Sequence, residues 1–209
     1  MPAPELHPGE IYVWRLRLDE THFDWPAALP EELSLAARFR SPMLRYRYLR
    51  AHAALRGILR NFTAAPLEFA AAEHGKPYLP GVPELKFNLS HSHEMALVAV
   101  ALEVDVGVDV ERLRPMRDYQ AVAERFFPPA EAAVLAAAPP AARKREFFRL
   151  WTRIEAMLKA RGIGLYGAGT DLAGEWTVEP IDAGARFAAA VAATRAGMAV
   201  RLRDYGPRG

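Results

Sequence analysis

The chain of 209 residues contains no cysteine, so disulfide bonds, thiolate zinc sites and cysteine nucleophiles are all excluded. It also has no apolar run approaching the roughly 18 residues that a membrane-spanning helix needs. Its first residues lack the basic and apolar regions of a secretory signal. We therefore expect a soluble, cytoplasmic protein.

The chain is 51% hydrophobic, enough for one large domain or two small ones with separate cores. The formal net charge is only +2, but the charge is unevenly distributed. Between residues 38 and 60 there is no acid and there are seven arginines: Arg38, Arg40, Arg45, Arg47, Arg50, Arg56 and Arg60. Such a stretch favours an acidic partner or a phosphorylated ligand, although a solvated helix face has the same composition.

Two acids stand two residues apart at the end of an alternating valine run, Gly107-Val108-Asp109-Val110-Glu111. The alternation predicts a strand in which Asp109 and Glu111 project to one face, opposite the valines. Neighbouring carboxylates repel each other, and their burial is costly unless a cation such as Mg²⁺ compensates. The alternative is a half-exposed strand that turns its acids to solvent.

A long helix is predicted from Pro139-Pro140 to about Arg161, with Gly162 as its stop. Helical spacing puts Trp151, Glu155 and Lys159 on one face of it. Glu155 and Lys159 are either a surface ion pair or part of a site. In the second case Glu155 completes a metal site with Asp109 and Glu111, and Lys159 holds a phosphate beside the metal.

Two further stretches carry candidate phosphate partners. Lys76 lies in a turn between Gly75 and Pro77, where it is either a solvent-exposed charge or a rigidly held anion contact. Apolar alternation ending at Leu89 is followed by Ser90, His91 and Ser92, whose side chains are compact hydrogen-bonding groups. The alternatives are a polar strand end satisfied by backbone bonds or, more weakly, a serine–histidine nucleophile and base.

The remaining pattern predicts short strands and helices in each half of the chain. Strands are expected at residues 10–18, 67–73 and 95–102, the last pairing with 104–111 across a turn. Helices are expected at residues 30–39 and 42–61, with Ser41 as N-cap of the second. Its buried stripe is predicted to comprise Leu44, Tyr48, Ala51, Leu55 and Ile58 or Leu59. Residues 175–181, 186–193 and 198–204 are expected to form an antiparallel meander.

The predicted seam lies just before Val104, which gives an N-terminal subdomain of residues 1–103 and a C-terminal subdomain of residues 104–209. The acidic strand then starts where the two subdomains meet, and such a junction is a favoured place for a ligand cleft.

Taken together, these stretches resemble the 4′-phosphopantetheinyl transferases, specifically the long, Sfp-type branch. Five segments carry the resemblance in the order that the family has them: Gly75-Lys76-Pro77-Tyr78-Leu79-Pro80, Phe87-Asn88-Leu89-Ser90-His91-Ser92, Gly107-Val108-Asp109-Val110-Glu111, Arg125-Phe126-Phe127, and Trp151-Thr152-Arg153-Ile154-Glu155-Ala156-Met157-Leu158-Lys159. The helix containing Arg45-Tyr46-Arg47 is also similar to the N-terminal helix of the family.

The resemblance implies an α+β (α/β) fold of two similar subdomains related by a pseudo-twofold axis, with coenzyme A in the cleft between them. It implies Mg²⁺-dependent transfer of the phosphopantetheine arm of coenzyme A to a serine of an apo acyl or peptidyl carrier protein. The second product is adenosine 3′,5′-bisphosphate. A monomer is expected, without a nucleic-acid or membrane partner.

The resemblance also implies roles for individual residues. Asp109, Glu111 and Glu155 match the magnesium carboxylates of the family. Lys76, Ser90, His91 and Lys159 match its contacts to the phosphates of coenzyme A, and Arg45 and Arg47 are further candidates. Glu155 and Lys159 are the catalytic candidates, with Glu155 as the base for the carrier serine.

Two departures from the family pattern keep alternatives open. Ile154 stands where the family usually has a lysine, and its expected effect is the loss of a charge near the metal and phosphates. Glu32 and Leu35 occupy places where some relatives have lysines. One alternative is therefore a homologue that binds coenzyme A or carrier protein with reduced or lost turnover. The other is a nucleic-acid binder that uses the arginine-rich helix, although no nucleic-acid motif accompanies it.

Overall fold

The computed structural model describes residues 5–20, 25–164 and 172–206. This part of the chain forms a mixed α+β protein, as the sequence predicts. The elements are β1 (Glu10–Arg17), α1 (Pro30–Ala36), α2 (Pro42–Leu59), β2 (Ala70–Ala71), β3 (Pro77–Tyr78), β4 (Leu85–Ser92), β5 (Met95–Leu102), β6 (Val106–Arg112), α3 (Tyr119–Phe126), α4 (Pro129–Ala137), α5 (Arg143–Arg161), β7 (Thr177–Pro180), β8 (Phe187–Ala193) and β9 (Ala199–Tyr205). None of the described helices is both long enough and apolar enough to span a membrane.

The strands form two main sheets and a short two-stranded ladder of β2 and β3. The first sheet has the order β4-β5-β1-β9, with β1 antiparallel to β5 and parallel to β9. The second sheet has the order β6-β8-β7 and is antiparallel. The sequence-predicted strand at 67–73 is reduced to the two residues of β2.

Two pairing predictions are wrong. The strand β6 does not pair with β5 across the intervening turn, because both edges of β5 are already occupied by β4 and β1. The last strand of the expected meander, β9, leaves the second sheet and pairs with β1 instead. Turn signals identify where a strand ends, but they do not determine which sheet edge the next strand finds.

The subdomain boundaries stay a prediction. The strand β9 comes from the predicted C-terminal subdomain, yet it lies in the sheet that otherwise consists of β1, β4 and β5. The first and the last strand of the described part of the chain therefore lie in the same sheet.

The two sheets pack face to face and are each covered by a helix. Tyr12, Trp14 and Leu16 of β1 point towards α2, as the alternation of this strand predicts. Ile11 and Val13 point to the other side, where they meet the valines of β6 and the inward residues of β8. On the far side of the second sheet, small residues let α5 lie close to β8: Ala156 and Ala160 from the helix, and Ala190 and Ala192 from the strand.

The helix α2 begins as the sequence predicts, with Pro42 as its first residue and the Ser41 hydroxyl accepting a hydrogen bond from the Leu44 amide at 3.4 Å. Most of the predicted stripe is buried, including Ala51 and Leu55. Leu44 is 50% exposed, so the prediction is wrong there. Only the later turns of α2 pack against the first sheet, and the first turn has no such surface to cover.

Candidate active site

The strand β6 sorts its side chains as the alternation predicts. Val106, Val108 and Val110 are buried in the core between the two sheets. The residues between them face α5, and among these Asp109 is only 4% exposed. The Asp109 carboxylate is thus buried between β6 and α5, and its burial is costly unless it has hydrogen-bond or charge partners.

Gly107 allows α5 to lie directly on this strand. A β-carbon at residue 107 would stand 2.1 Å from the carbonyl oxygen of Ala156 and 2.4 Å from the amide nitrogen of Ala160. These distances leave no room for a side chain, so the close approach requires glycine. The approach places the helix turn that carries Glu155 and Lys159 beside Asp109.

Lys159 and Ser90 share one oxygen of Asp109. The Lys159 ammonium lies 2.6 Å from Asp109 Oδ1, and the Ser90 hydroxyl donates to the same oxygen at 2.9 Å. Lys159 Nζ also lies 3.1 Å from Ser90 Oγ. Residues from β4, β6 and α5 therefore meet at one point, and a buried acid acquires a charged and a neutral partner there.

A ladder of side chains joins β4 to the free edge of β6. The Asn88 Oδ1 atom accepts a hydrogen bond from the Val108 amide at 2.9 Å. The hydroxyls of Ser90 and Ser92 accept from the next two alternate amides, at 3.4 and 3.2 Å. Because β6 is the edge strand of its sheet, these amides would otherwise lack partners.

The alternative of a polar strand end satisfied by backbone bonds describes part of this ladder, at Ser90 and Ser92, whereas the role of Asn88 was not predicted. The available signal was the spacing, because Asn88, Ser90 and Ser92 occupy alternate positions and thus one face of a strand. Polar residues at that spacing on a mostly buried strand indicate a line of acceptors facing another backbone.

Glu111 belongs to the same side of β6. Its Oε2 atom accepts a hydrogen bond from the Ser92 hydroxyl at 3.0 Å. Burial raises the pKa of Glu111, and the charge of nearby Asp109 raises it further. Asp109 is therefore close enough to disfavour the ionisation of Glu111.

Glu155 is the most perturbed acid described. Its pKa is raised to about 7, chiefly by burial, with further increases from Asp109 and Glu111, while Lys159 opposes the shift. Its Oε1 atom is buried and has no hydrogen-bond partner in the described part of the chain, and the same holds for Asp109 Oδ2. Unsatisfied buried oxygens of this kind are uncommon and call for an explanation.

A divalent cation fits these oxygens by charge and by donor type. Mg²⁺ prefers a few carboxylate oxygens and keeps its other positions for water or phosphate. Asp109, Glu111 and Glu155 could supply such oxygens, and the cation would remove the repulsion that raises the pKa of Glu155. Within the described residues, no three acidic or histidine side chains stand in an already assembled metal cluster. Lys159 provides the positive charge beside Asp109 instead.

The other residues predicted to bind phosphate, His91 and Lys76, lie at different positions around Asp109, Glu111 and Glu155. His91 keeps an exposed surface, but the protein atoms around its ring partly desolvate it and lower its pKa, and the charge of Lys159 lowers the pKa further. The Lys76 ammonium donates to the carbonyl oxygen of Ala160 at 2.6 Å and pairs with Asp105 at 2.9 Å. Lys76 therefore contacts the end of α5 rather than the three acids.

The two candidate arginines have intramolecular partners. Arg47 makes a two-pronged ion pair with Asp19, at 2.9 and 2.6 Å. Arg45 is exposed and donates to the carbonyl oxygen of Phe39 at 3.1 Å.

Other arginines of α2 are also used within the protein. Arg50 donates to the carbonyl oxygens of Leu18 and Glu20, and its guanidinium lies 3.9 Å from the centre of the Tyr46 ring. Arg56 forms a buried ion pair with Glu32. The arginine-rich stretch is therefore not a uniform basic face of the kind that nucleic acid requires.

Ile154 does not remove a charge from the site. It is 3% exposed and packs in an apolar cluster with Phe147 and Leu158. Adjacent helix residues point in different directions, so Ile154 faces this core whereas Glu155 faces β6. Ile154 thus faces away from the three acids, and the effect of the missing lysine on turnover stays a prediction.

The site combines two acids on an edge strand with a glutamate and a lysine on the overlying helix of an α+β protein. Such a set of charged groups is suited to phosphate chemistry. Comparison with known proteins assigns the family. Residues 105–198 match the model of the 4′-phosphopantetheinyl transferase superfamily.

Three relatives illustrate the similarity. The 4′-phosphopantetheinyl transferase HetI of Nostoc sp. is 38% identical over 174 residues, covering 78% of this chain and 73% of HetI. The putative 4′-phosphopantetheinyl transferase slr0495 of Synechocystis sp. is 34% identical, covering 66% of this chain and 58% of the relative. The 4′-phosphopantetheinyl transferase psf-1 of Bacillus pumilus is 36% identical, covering 66% and 59%. The chain belongs to the 4′-phosphopantetheinyl transferase superfamily, a family of enzymes, and the resemblance predicted from its motifs is confirmed.

Proposed function

We propose that this protein transfers the 4′-phosphopantetheine arm of coenzyme A to a serine of an apo carrier protein, in a reaction that requires Mg²⁺. The observation that carries the proposal is the convergence of β6 and α5. There, beside the ammonium of Lys159, buried oxygens of Asp109 and Glu155 have no hydrogen-bond partner among the described residues. This arrangement suits a cation and a diphosphate together better than either alone.

The three acids have a shared role in the proposal. Asp109, Glu111 and Glu155 would hold the Mg²⁺ ion, which when bound supplies positive charge to the oxygens of the diphosphate. The positive charge of the cation would offset the cost of burial and the repulsion between the acids, which together raise the pKa of Glu155 to about 7. Ser90 and Ser92 support the proposal because they orient the two strand acids.

Lys159 and His91 are proposed to contact the phosphates of coenzyme A. The Lys159 ammonium lies at the meeting point of β4, β6 and α5, where a fixed positive charge stabilises charge that develops on phosphate oxygens. His91 is exposed on the neighbouring strand, within the influence of Lys159. Arg45 and Arg47 stay predicted contacts, and Arg47 would have to leave Asp19 to make one.

The reaction itself is a displacement at phosphorus. The carrier serine oxygen forms a bond to the phosphorus that bears pantetheine, and the bond from that phosphorus to the bridging oxygen breaks. Adenosine 3′,5′-bisphosphate leaves with the bridging oxygen, and the serine proton passes to a base. Glu155 is our candidate for the base, because its buried Oε1 atom has no hydrogen-bond partner among the described residues and is available to accept a proton. An unchanged rate for Glu155→Gln with Mg²⁺ bound would rule this assignment out.

The proposal is tested by incubating the protein with coenzyme A, Mg²⁺ and an apo carrier protein and measuring the intact mass of the carrier. We expect the carrier to gain one phosphopantetheine arm, and we expect chelation of the metal to stop the gain. Asp109→Asn is expected to lose the activity. A carrier that stays unmodified by the wild type, under conditions in which coenzyme A binds, would favour a binding homologue without turnover.

That second candidate rested on Ile154, and its support is weaker because Ile154 packs in the apolar core. Further parts of the proposal are a pseudo-twofold relation between the two halves, a coenzyme A cleft between them, a monomeric state and a cytoplasmic location. The cleft is supported by the place of Asp109 where β4, β6 and α5 meet.

A further inference from the structure

Lys76 connects the turn between β2 and β3 to two distant parts of the chain. Its ammonium donates to the carbonyl oxygen of Ala160, in the last turn of α5, at 2.6 Å. It also pairs with Asp105, the residue before β6, at 2.9 Å. The Lys76 side chain is only 13% exposed and its contact to Ala160 is partly buried, whereas the Asp105 side chain is 50% exposed.

The C-terminal end of α5 offers a free backbone carbonyl that Lys76 can bind. The last carbonyls of a helix lack amide partners from the helix itself. Here the Leu158 carbonyl accepts from the Ile163 amide at 3.0 Å and the Lys159 carbonyl accepts from the Gly162 amide at 3.1 Å. Lys76 completes the series at Ala160 and adds positive charge at the negative end of the helix dipole.

Gly162 contributes in two ways to the same contact. It has a left-handed backbone conformation, with a φ of 68°, that ends α5. A β-carbon at residue 162 would also stand 3.2 Å from Cδ and 3.3 Å from Cβ of Lys76. The lysine side chain therefore lies along the glycine.

The turn of α5 that Lys76 contacts is the turn that carries Lys159. Ala160 follows Lys159 directly, and Lys159 Nζ reaches Asp109 Oδ1 at 2.6 Å. Asp105 precedes β6 by one residue, so Lys76 holds the helix and the strand of the site at the same time. If Lys76 moved to a phosphate, the Ala160 carbonyl would lose this hydrogen bond, and leaving a buried carbonyl without a partner is unfavourable.

We propose that Lys76 is a positioning residue for the transfer reaction, and not the phosphate contact that its place in the family motif implies. It fixes the last turn of α5 against the start of β6, and thereby sets the place of Lys159 and Glu155 over Asp109. This inference rests on the proposed function for its effect on turnover, but its structural part does not.

The kinetic test compares Lys76→Met with Asp105→Asn, and uses Lys144→Met as a matched control at the other end of α5. We expect Lys76→Met to lower kcat for carrier modification about tenfold, because a misplacement of reacting groups by a fraction of an ångström has effects of this order. The Kd of coenzyme A, measured by calorimetry with Mg²⁺, should change less than about threefold. Asp105→Asn should lower kcat in the same direction, and the double variant should be no worse than Lys76→Met alone.

The opposite pattern would overturn the proposal. A phosphate contact predicts that Lys76→Met weakens coenzyme A binding tenfold or more with kcat unchanged. It also predicts that Asp105→Asn, which frees Lys76, tightens coenzyme A binding or leaves both constants as they are.

The structural part is tested by hydrogen exchange of the Gly162 and Ile163 amides, which needs no turnover. We expect exchange to be about tenfold faster in Lys76→Met than in the wild type or in Lys144→Met. Equal exchange in all three proteins would show that Lys76 does not fasten the helix. If exchange is faster in Lys76→Met but the wild type never modifies a carrier, the structural role of Lys76 is retained and the proposed function is rejected.

Discussion

Glu32 is buried and Glu155 is half-buried, and the two glutamates have opposite surroundings. Glu32, in α1, is 6% exposed and has partners for both oxygens: Arg56 at Oε1, and the Leu29 amide at Oε2, at 3.0 Å. Glu155, in α5, leaves Oε1 buried without a partner in the described part of the chain, and its pKa is raised to about 7.

The difference separates an acid that stabilises the fold from an acid whose proposed role is to bind a metal ion. Arg56 also donates to the carbonyl oxygen of Ala27 at 2.6 Å, so the Glu32 pair ties three segments together. Glu155 contributes no comparable bond and instead adds repulsion towards Asp109 and Glu111. Natural proteins keep such a cost mainly where function requires it.

The largest effect is expected at the paired site. Arg56→Met leaves the Glu32 carboxylate buried without its charge partner, which typically costs about 3–5 kcal/mol of unfolding free energy. Urea denaturation would measure this loss, and the transfer activity of the remaining folded protein should be almost unchanged. Arg60→Met, which removes an exposed arginine from the end of the same helix, should cost less than about 1 kcal/mol. Similar losses for the two variants would remove the distinction between the glutamates.

The reverse outcome is expected at the unpaired site. Glu155→Gln should reduce the rate of carrier modification about 10²- to 10³-fold, because one charged group near the reacting phosphate is lost. Its unfolding free energy should not decrease, since glutamine brings no charge into the buried position. The measurement is carrier mass against time, with the exposed Glu179→Gln as control. A stability loss as large as that of Arg56→Met would contradict the comparison.

A smaller effect is expected where the helix meets the strand of the site. Gly107→Ala would place a β-carbon 2.1 Å from the Ala156 carbonyl oxygen, so α5 must shift. Overpacking of this kind costs about 1–3 kcal/mol, and the displaced Glu155 and Lys159 should lower the transfer rate at least about tenfold. Gly81→Ala is the control, because no atom lies within 4 Å of the added β-carbon. Wild-type rates in Gly107→Ala would show that the close approach does not position the site.

The smallest effect is a dependence of stability on pH in the metal-free protein. Glu155 has a folded pKa of about 7 against an ordinary value of 4.5, so the folded state binds more protons between these values. Stability should therefore fall as the pH rises from about 4.5 to about 7. With allowance for partial solvent screening, Glu155→Gln should be more stable than the wild type by on the order of 1 kcal/mol at pH 8 in a chelator.

This difference should vanish at low pH, where the wild-type carboxyl is protonated in both states. Thermal denaturation at several pH values would measure it. Identical pH profiles for the two proteins would mean that Glu155 does not carry the unfavourable charge.

Much of the fold was predictable, because periodicity and caps are local. The strand β5 has its predicted bounds, and α2 begins at the predicted Ser41 cap. The hairpin between β5 and β6 and the three-stranded meander were not correctly predicted, because strand pairing depends on which edges remain open after other strands have paired. Leu44 was misjudged for a related reason, since a stripe at helical spacing is buried only where a partner surface exists.

The candidate site was predictable by residue type and only partly by role. Asp109, Glu155 and Lys159 were singled out from spacing and from the family motif, and the structure brings Asp109 and Lys159 into contact. Asn88 was missed because its partner is a backbone amide twenty positions away. Ile154 packs in the apolar core, in agreement with helical spacing, which puts it on a different face of α5 from Glu155 and Lys159.

The amino-acid sequence by itself determined the family, the class of fold and the residues capable of metal and phosphate chemistry, because motifs and periodicity are written within short stretches of chain. Only the tertiary structure decided which of those residues are satisfied. Arg47 and Lys76 already have carboxylate partners, whereas an oxygen of Glu155 has none among the described residues. The physical reason is that desolvation and hydrogen bonding depend on neighbours from distant parts of the chain, and these set the pKa and the availability of each charged group.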